Sequence, residues 1–114
     1  MLLRSDNTYQ GSTQILEGTL ILLGEAGERL PELTNVLLNG GSLRLQKATG
    51  VAETIGSLSG SGNVTFSVNL NQILRVGANN SDSTFDGIIK PVSGGDGALT
   101  KIGAGTLTLS GTNT

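Results

Sequence analysis

The chain contains no histidine, no cysteine and no tryptophan, and it has one tyrosine and two phenylalanines among 114 residues. Without histidine, imidazole general bases, Ser-His-Asp triads and histidine metal sites are excluded. Without cysteine, disulfides and thiolate chemistry are excluded, although this absence separates secreted from cytosolic proteins only weakly. With so few aromatic rings, a core has to be built from Leu, Ile and Val, which suit narrow interiors between stacked strands.

Positive charge and long apolar runs are also scarce. The formal net charge is −2 and the sequence pI is about 4.9, so we expect no nucleic-acid partner. The longest apolar run, at residues 20–23, is far too short to span a bilayer. Residues 1–4 lack the apolar core of a signal peptide, so we expect any secretion signal of the parent protein to lie outside this chain.

Glycine, in contrast, is abundant. The 18 glycines are spread along the whole chain, about twice the ordinary frequency of roughly 7%, and this spacing is typical of turns. Between them lie short runs of alternating apolar and polar residues, which predict strands and an all-β fold. Ten runs fit this pattern, at residues 13–16, 19–23, 36–38, 42–45, 53–58, 63–68, 73–76, 84–89, 99–102 and 106–109.

Residues 25–33 differ from the rest of the chain. Gly27 and Pro31 oppose a helix longer than one turn in this segment. We therefore predict a loop that interrupts the repeated pattern as an insertion.

A turn residue followed by an alternating strand recurs along the chain. The five copies begin at Gly18, Gly41, Gly62, Ser83 and Gly105, at intervals of 21 to 23 residues. A repeat of about 20 to 25 residues with strands and tight turns is typical of solenoids. The spacing predicts a parallel β-solenoid of about five coils, in which each strand pairs with its equivalents above and below.

The two ends of the chain share sequence. Asn7 and Thr8 repeat Asn113 and Thr114 at an offset of 106 residues. This offset corresponds to five successive intervals of the shorter repeat. We therefore predict that residues 1–114 form one solenoid unit of a longer tandem array.

The alternation within each copy assigns side chains to an interior and an exterior. The predicted interior residues are Leu20, Leu22, Leu43, Leu45, Val64, Phe66, Phe85, Leu107 and Leu109. The predicted outward residues between them are Ile21, Arg44, Thr65, Asp86 and Thr108. An antiparallel sandwich explains the alternation equally well, but it does not explain the recurring interval or the matching ends.

The C-terminal segment resembles the autotransporter-associated β-strand repeat, which occurs in the passenger regions of type V secreted bacterial proteins. The matching residues there are Leu99, Thr100, Lys101, Gly103, Gly105, Thr106, Leu107, Leu109, Ser110, Gly111, Asn113 and Thr114. The match continues at the start of the chain with Asn7, Thr8, Tyr9, Gly11, Ser12, Thr13, Gly18, Thr19 and Leu20. Residues 55–64 and 74–87 resemble the segments that link such repeats.

The resemblance implies a right-handed parallel β-helix on the outer surface of a bacterium. In this family the repeat is a stalk or scaffold, and its folding outside the cell is thought to help draw the passenger through an outer-membrane β-barrel translocator. The family's repeat has no catalytic residues, so none are transferred to this chain.

Charged residues of the types used by β-helical polysaccharide enzymes are nevertheless present. They are Asp82, Asp86, Asp96, Arg75, Lys90 and Lys101, and Asp82 and Asp86 are placed to face each other on adjacent coils. Solvated surface charges explain them better, because charges are rarely buried without a partner. Residues 94–99 are similar to a glycine-rich calcium-binding repeat, but Leu99 stands where that repeat needs Asp, so we predict a turn.

These observations favour a non-catalytic structural repeat of a bacterial surface adhesin or autotransporter passenger. We expect no catalytic, cofactor-binding or metal-ligating residues, and no cofactor. The expected partners are neighbouring repeats of the same chain or other copies stacked head to tail, and the expected location is the cell surface. Two alternatives remain open, namely a self-assembling β-solenoid filament subunit and a β-helical polysaccharide-active or glycan-binding domain.

Overall fold

The computed structural model describes residues 2–3, 7–24, 29–48, 50–67 and 71–113, and these residues form thirteen strands and no helix. The strands are β1 (Leu2–Leu3), β2 (Thr13–Ile15), β3 (Thr19–Gly24), β4 (Asn35–Leu38), β5 (Ser42–Lys47), β6 (Ala52–Ile55), β7 (Ser57–Gly60), β8 (Asn63–Phe66), β9 (Gln72–Val76), β10 (Ser83–Phe85), β11 (Ile88–Pro91), β12 (Gly97–Lys101) and β13 (Leu107–Leu109).

The strands form three parallel sheets. The first sheet has the order β1-β3-β5-β8-β11, the second β13-β10-β7-β4-β2 and the third β12-β9-β6. Every pair of neighbouring strands is parallel. Since the chain visits the second, first and third sheets in turn, β4, β5 and β6 make one coil and β7, β8 and β9 the next. The predicted parallel β-solenoid is confirmed, with about four turns rather than five.

The smaller number of turns has a local cause at two corners. The predicted strands 53–58 and 84–89 are each two strands, separated at Gly56 and at residues 86–87. The copy at Ser83 therefore begins a strand of the second sheet and the copy at Gly105 precedes another, whereas the first three copies precede strands of the first sheet.

The predicted stacking of Phe85, Leu107 and Leu109 on the first sheet is consequently wrong. Phe85 pairs with Gly60 and Leu109 in the second sheet, and Ile89 is the residue that stacks on Val64 in the first. Two strands of each coil follow a turn residue and alternate, so the motif looks the same on both sheets. The two ends of the chain, which share sequence, also lie on different sheets. β1 pairs with β3 in the first sheet, whereas β13 pairs with β10 in the second.

The core is one column of apolar side chains, mostly aliphatic, enclosed by the three sheets. Leu20, Leu43 and Val64 stack in register, and Leu22, Leu45 and Phe66 form a second row beside them. These residues are buried, and Leu107 is partly buried against the same cluster. The prediction that Leu20, Leu43, Phe66 and Leu107 face one interior is confirmed.

The outward positions agree with the alternation on the first sheet. Ile21, Arg44 and Thr65 stack there as predicted, and Lys90 continues the row. Asp86 instead lies in the corner after β10, and Thr108 lies on the second sheet beside Thr84.

Close stacking of the corners explains the regular glycines. A Cβ atom on Gly62, Gly87 or Gly111 would stand 2.0, 1.9 and 1.9 Å from the carbonyl oxygens of Gly41, Gly62 and Gly87 respectively. Real side chains do not approach a backbone oxygen this closely, so each coil needs glycine at this corner. The sharp backbone is supplied at two other bends by Asn71 and Asn80, which have positive φ angles of 44° and 60°.

The predicted loop at residues 25–33 is a loop where the structure describes it. Residues 29–33 form bends and a turn, and the Thr34 N–H donates to the Pro31 carbonyl oxygen at 3.0 Å. Residues 25–28 lie outside the described residues. Residues 29–33 follow β2 and β3, which belong to the first coil, and they occupy the position that β6, β9 and β12 hold in later coils, so the described part of the first coil has no third strand.

Candidate functional site

The charged residues singled out in the sequence do not converge. Asp82 and Asp86 flank β10 on the same coil, so the expectation that they face each other on adjacent coils is wrong. The Asp82 Oδ1 atom accepts a hydrogen bond from the Thr106 N–H at 2.8 Å, and Asp86 Oδ1 is hydrogen-bonded to the Ser110 hydroxyl. Each carboxylate therefore tethers the following coil.

The remaining charged residues lie on other parts of the surface. The Asp96 Oδ1 atom accepts from the Asn71 N–H at 2.9 Å. Lys90 lies on the first sheet, whereas Arg75 and Lys101 lie on the third. Within the described ranges, no group of three or more Asp, Glu, His or Cys side chains could hold a metal ion.

Amide side chains make the same kind of contact at other corners. Asn80 Oδ1 accepts from the Ala104 N–H at 2.9 Å, and Asn113 Oδ1 accepts from the Ile89 N–H at 2.8 Å. Both bonds join residues 24 positions apart, about one coil. These polar side chains satisfy backbone donors where the ladders are interrupted.

A cluster of polar side chains lies inside the solenoid, where the pattern predicts only apolar residues. It consists of Arg29, Lys47, Glu53 and Gln72, which we call the buried polar cluster. Lys47 Nζ lies 2.7 Å from Glu53 Oε2, and both side chains have 0% exposure. Lys47 Nζ also donates to the Ala52 carbonyl oxygen at 2.7 Å.

The Glu53 side chain hydrogen-bonds to the backbone of residues 29 and 30, which has no partner strand among those described in the third sheet. Glu53 is in register with Leu74, which pairs with Leu99, so its side chain points into the column of leucines. Its Oε1 atom accepts from the Leu30 N–H at 2.5 Å and its Oε2 atom from the Arg29 N–H at 3.1 Å. The carboxylate thereby supplies the acceptors that a third strand would have offered to this part of the first coil.

Burial controls the electrostatics of this carboxylate. Removal from water raises the pKa of Glu53 above its ordinary value, although the hydrogen bonds from Lys47, Leu30 and Arg29 and the Lys47 charge act in the opposite direction. The neutral acid form of Glu53 is therefore more accessible than that of an exposed glutamate.

Gln72 and Arg29 make further contacts that hold the cluster in place. Gln72 Oε1 accepts from the Lys47 N–H at 2.8 Å, and Gln72 Nε2 donates to the Lys47 carbonyl oxygen at 2.9 Å. The Arg29 guanidinium covers Gly24, because a Cβ atom there would stand 2.0 Å from an Arg29 nitrogen. Arg29 Nε donates to the Leu23 carbonyl oxygen.

The sequence pattern did not predict this cluster, although a signal was present. Lys47 has the inward parity of Leu43 and Leu45 in β5, and Glu53 has that of Ile55 in β6. Charged residues at inward positions of two consecutive strands point to a buried pair. The extent of each strand has to be known before this parity can be counted, and the predicted strands end at Leu45 and begin at Glu53.

Two open grooves adjoin the first coil. One, of about 760 Å³, lies between residues 7–11 and 30–34, and the other, of about 680 Å³, lies along residues 13–20. Tyr9 contributes to both, and its hydroxyl is hydrogen-bonded to the Thr13 hydroxyl. Across the described part of the chain, no helix has the length and apolarity needed to cross a membrane.

Comparison with known proteins identifies the repeat. A family model for the passenger-associated-transport-repeat matches residues 2–22 and 99–114. The chain is 32% identical, over 98% of its length, to the adhesin BmaC autotransporter of Brucella suis biovar 1 (strain 1330). It spans 3% of that relative's length. No solved structure matches the chain.

The family match falls on the two segments that carry the resemblance seen in the sequence, and both contribute strands to the parallel ladders. The relative aligns across the intervening coils as well. The chain is therefore a repeat segment of an autotransporter passenger.

Proposed function

We propose that this chain is a non-catalytic spacer in an adhesin-type passenger displayed on the bacterial surface. The observation that carries the proposal is the uninterrupted parallel ladder, which runs through five strands in each of the first and second sheets. Each coil adds one strand spacing, so about four turns extend the solenoid axis by roughly 20 Å. Such a segment sets the distance between domains on either side of it.

The hydrogen bonds of the exposed carboxylates support a structural role. Asp82, Asp86 and Asp96 each contact a neighbouring coil, so their oxygens are used in holding the stack together. Hydrolysis of a glycosidic bond commonly uses two carboxyl groups about 5 to 10 Å apart across the bound sugar, whereas these three aspartates are each hydrogen-bonded to a different residue of a neighbouring coil. We therefore expect Asp82→Asn, Asp86→Asn and Asp96→Asn together to leave the passenger's adhesion unchanged, and we expect neither the parent chain nor the triple variant to cleave polysaccharides.

The partner assignment follows from the same family. In the parent protein, an outer-membrane translocator would export the chain, and other passenger coils would stack on its two ends. We infer surface location and adhesion from the relative, whose name describes an adhesin.

A deletion in register tests the spacer role in the intact passenger. Removing residues 57–81 deletes one coil and joins Gly56 to Asp82, which preserves pairing because Gly60 is in register with Phe85. Export, protease resistance and adhesion should all persist. As a matched control, removing residues 57–68 deletes half a coil and should abolish protease resistance. If the in-register deletion retains export and protease resistance but abolishes adhesion, these coils carry a binding site and the spacer assignment is wrong.

A further inference from the structure

We propose that Lys47 and Glu53 form an intramolecular amide cross-link after the solenoid has folded. The proposal rests on four features of the buried polar cluster: an amine and a carboxyl group in contact, exclusion of water, two backbone donors on the carboxyl oxygens and a rigid support for the lysine. It is independent of the proposed spacer role.

The nucleophile and the electrophile are held together. Lys47 Nζ lies 2.7 Å from Glu53 Oε2, and the side chains are fully buried. Gln72 fixes the backbone of Lys47 through both its N–H and its carbonyl oxygen, and the Ala52 carbonyl oxygen orients the amine at 2.7 Å. Positioning of this kind converts an intermolecular reaction into a far faster intramolecular one.

The carboxyl group is polarised by backbone donors. The Leu30 N–H lies 2.5 Å from Oε1 and the Arg29 N–H lies 3.1 Å from Oε2. Donors fixed in a water-excluded site stabilise the negative charge that develops on a carbonyl oxygen during attack at its carbon. Oε1, which has the shorter contact, is the oxygen suited to hold that charge.

The chemical step needs no reagent beyond the two side chains. Lys47 Nζ gives the proton directed at Oε2 to that oxygen, which leaves a neutral amine and a neutral carboxylic acid. The nitrogen lone pair attacks the Glu53 carboxyl carbon, and the carbonyl electron pair moves onto Oε1. When this pair returns, the C–Oε2 bond breaks and Oε2 leaves as water with a second proton from the nitrogen. An amide with one N–H remains, with no change in net charge or oxidation state.

The burial of Glu53 assists the first proton transfer. Desolvation raises the pKa of its carboxyl group, and a low dielectric disfavours the charged pair relative to the neutral one. The product would close the corner between β5 and β6 covalently. A chain without cysteine would gain in this way a covalent tie that forms only in the folded state.

Mass spectrometry of the purified, folded chain after denaturation tests the proposal. Trypsin cleaves an unlinked chain after Arg44, Lys47 and Arg75, which releases residues 45–47 and 48–75. The cross-linked chain should instead release residues 45–75 as one peptide, lighter by one water molecule, with no fragment ions from bonds between residues 47 and 53. The loss of water has to be localised to residues 45–75, because Asp86 and Asp96 each precede glycine and can also lose water by cyclisation.

Three variants complete the experiment. Lys47→Arg retains the charge but removes the reactive amine, and Glu53→Leu fits the leucine stack but removes the carboxyl group, so both should show the unmodified mass. Lys90→Arg changes an exposed lysine on the first sheet and should retain the full mass loss. An unmodified mass and normal cleavage after Lys47 in the folded wild-type chain would overturn the proposal and leave an ordinary buried ion pair.

Discussion

Single side chains in the interior depend on their equivalents one coil away. Leu43 has 0% exposure and lies in register between Leu20 and Val64. Its methyl groups fill a space that the parallel ladders prevent from collapsing, because the backbones above and below are fixed by hydrogen bonds. The cost of removing it therefore includes the cavity as well as the lost apolar burial.

Leu43→Ala should lower the free energy of unfolding by about 2–5 kcal/mol. Lys90→Ala, which truncates an exposed side chain on the same sheet, should change it by about 0.5 kcal/mol or less. Urea denaturation followed by circular dichroism measures both. Equal effects of the two substitutions would contradict the register of the core.

Buried charge behaves differently from buried leucine, because its effect depends on pH. In a Lys47→Arg chain, which cannot form the amide, burial should still raise the pKa of Glu53 above its value in the unfolded chain. The folded state then binds more protons than the unfolded state between those two values, so stability should fall as the pH rises from about 4.5 through the folded pKa.

Comparing Lys47→Arg with Lys47→Arg/Glu53→Leu isolates this contribution. The unfolding free energies of the two chains are measured in urea from pH 4 to pH 7. As the pH rises, the Lys47→Arg/Glu53→Leu chain should become more stable relative to the Lys47→Arg chain. A constant difference across the range would show that Glu53 keeps its ordinary pKa in the folded chain.

Corners, rather than strand interiors, fix how closely the coils stack. The carbonyl oxygen of Gly62 lies 1.9 Å from where a Cβ atom of Gly87 would stand. The Ile88 N–H donates to the same oxygen at 3.1 Å. A side chain at residue 87 would therefore push two coils apart and would also break the hydrogen bond from the Ile88 N–H to the Gly62 carbonyl oxygen.

Gly87→Ala should destabilise the chain by about 1–3 kcal/mol through this overpacking. Gly50 offers a matched control, because nothing lies within 4 Å of its Cβ position and its φ is +74°, a conformation that asparagine tolerates. Gly50→Asn should change the thermal midpoint little. Similar midpoints for the two variants would show that the corners are not in close contact.

The sequence locates strands of both sheets, such as 19–23 in the first and 36–38 in the second, but it predicts the stacking correctly only in the first sheet, for a geometric reason. Leu20, Leu43 and Val64 follow the same kind of turn and lie on one sheet, so their spacing predicts their stacking. Phe85 follows a similar turn but lies on the second sheet. A period gives the length of a coil but not the side to which each strand belongs. The burial of Lys47 and Glu53 was not predicted for a related reason. Whether each side chain points inward depends on where its strand ends, and composition does not fix the strand ends.

The assembled solenoid leaves strand edges open at its last described coil. β11, β12 and β13 each end a sheet, and Leu109 is 40% exposed beside them. Open parallel edges with apolar side chains are templates for further strands. We expect additional coils to cover such an edge in the parent protein.

The isolated chain should accordingly self-associate head to tail, a heterologous arrangement that propagates. Static light scattering should show a mass that increases with concentration. Leu109→Lys, at the open edge, should reduce association, whereas Leu37→Lys, on the outward face of β4 within the second sheet, should not. A monomer at all concentrations would mean that the edges are protected.

The parallel register also sets how the chain can fold. Residues paired in the first sheet, such as Leu20 with Leu43 and Val64 with Ile89, are separated by 21 to 25 residues. Closing a loop of that length costs about 3 kcal/mol in chain entropy, and the cost is the same for every coil. Growth at an end therefore resembles a one-dimensional crystal, in which the first pair of coils is the nucleus and each later coil meets an existing template. An array of this kind can lengthen without its elongation rate per coil falling.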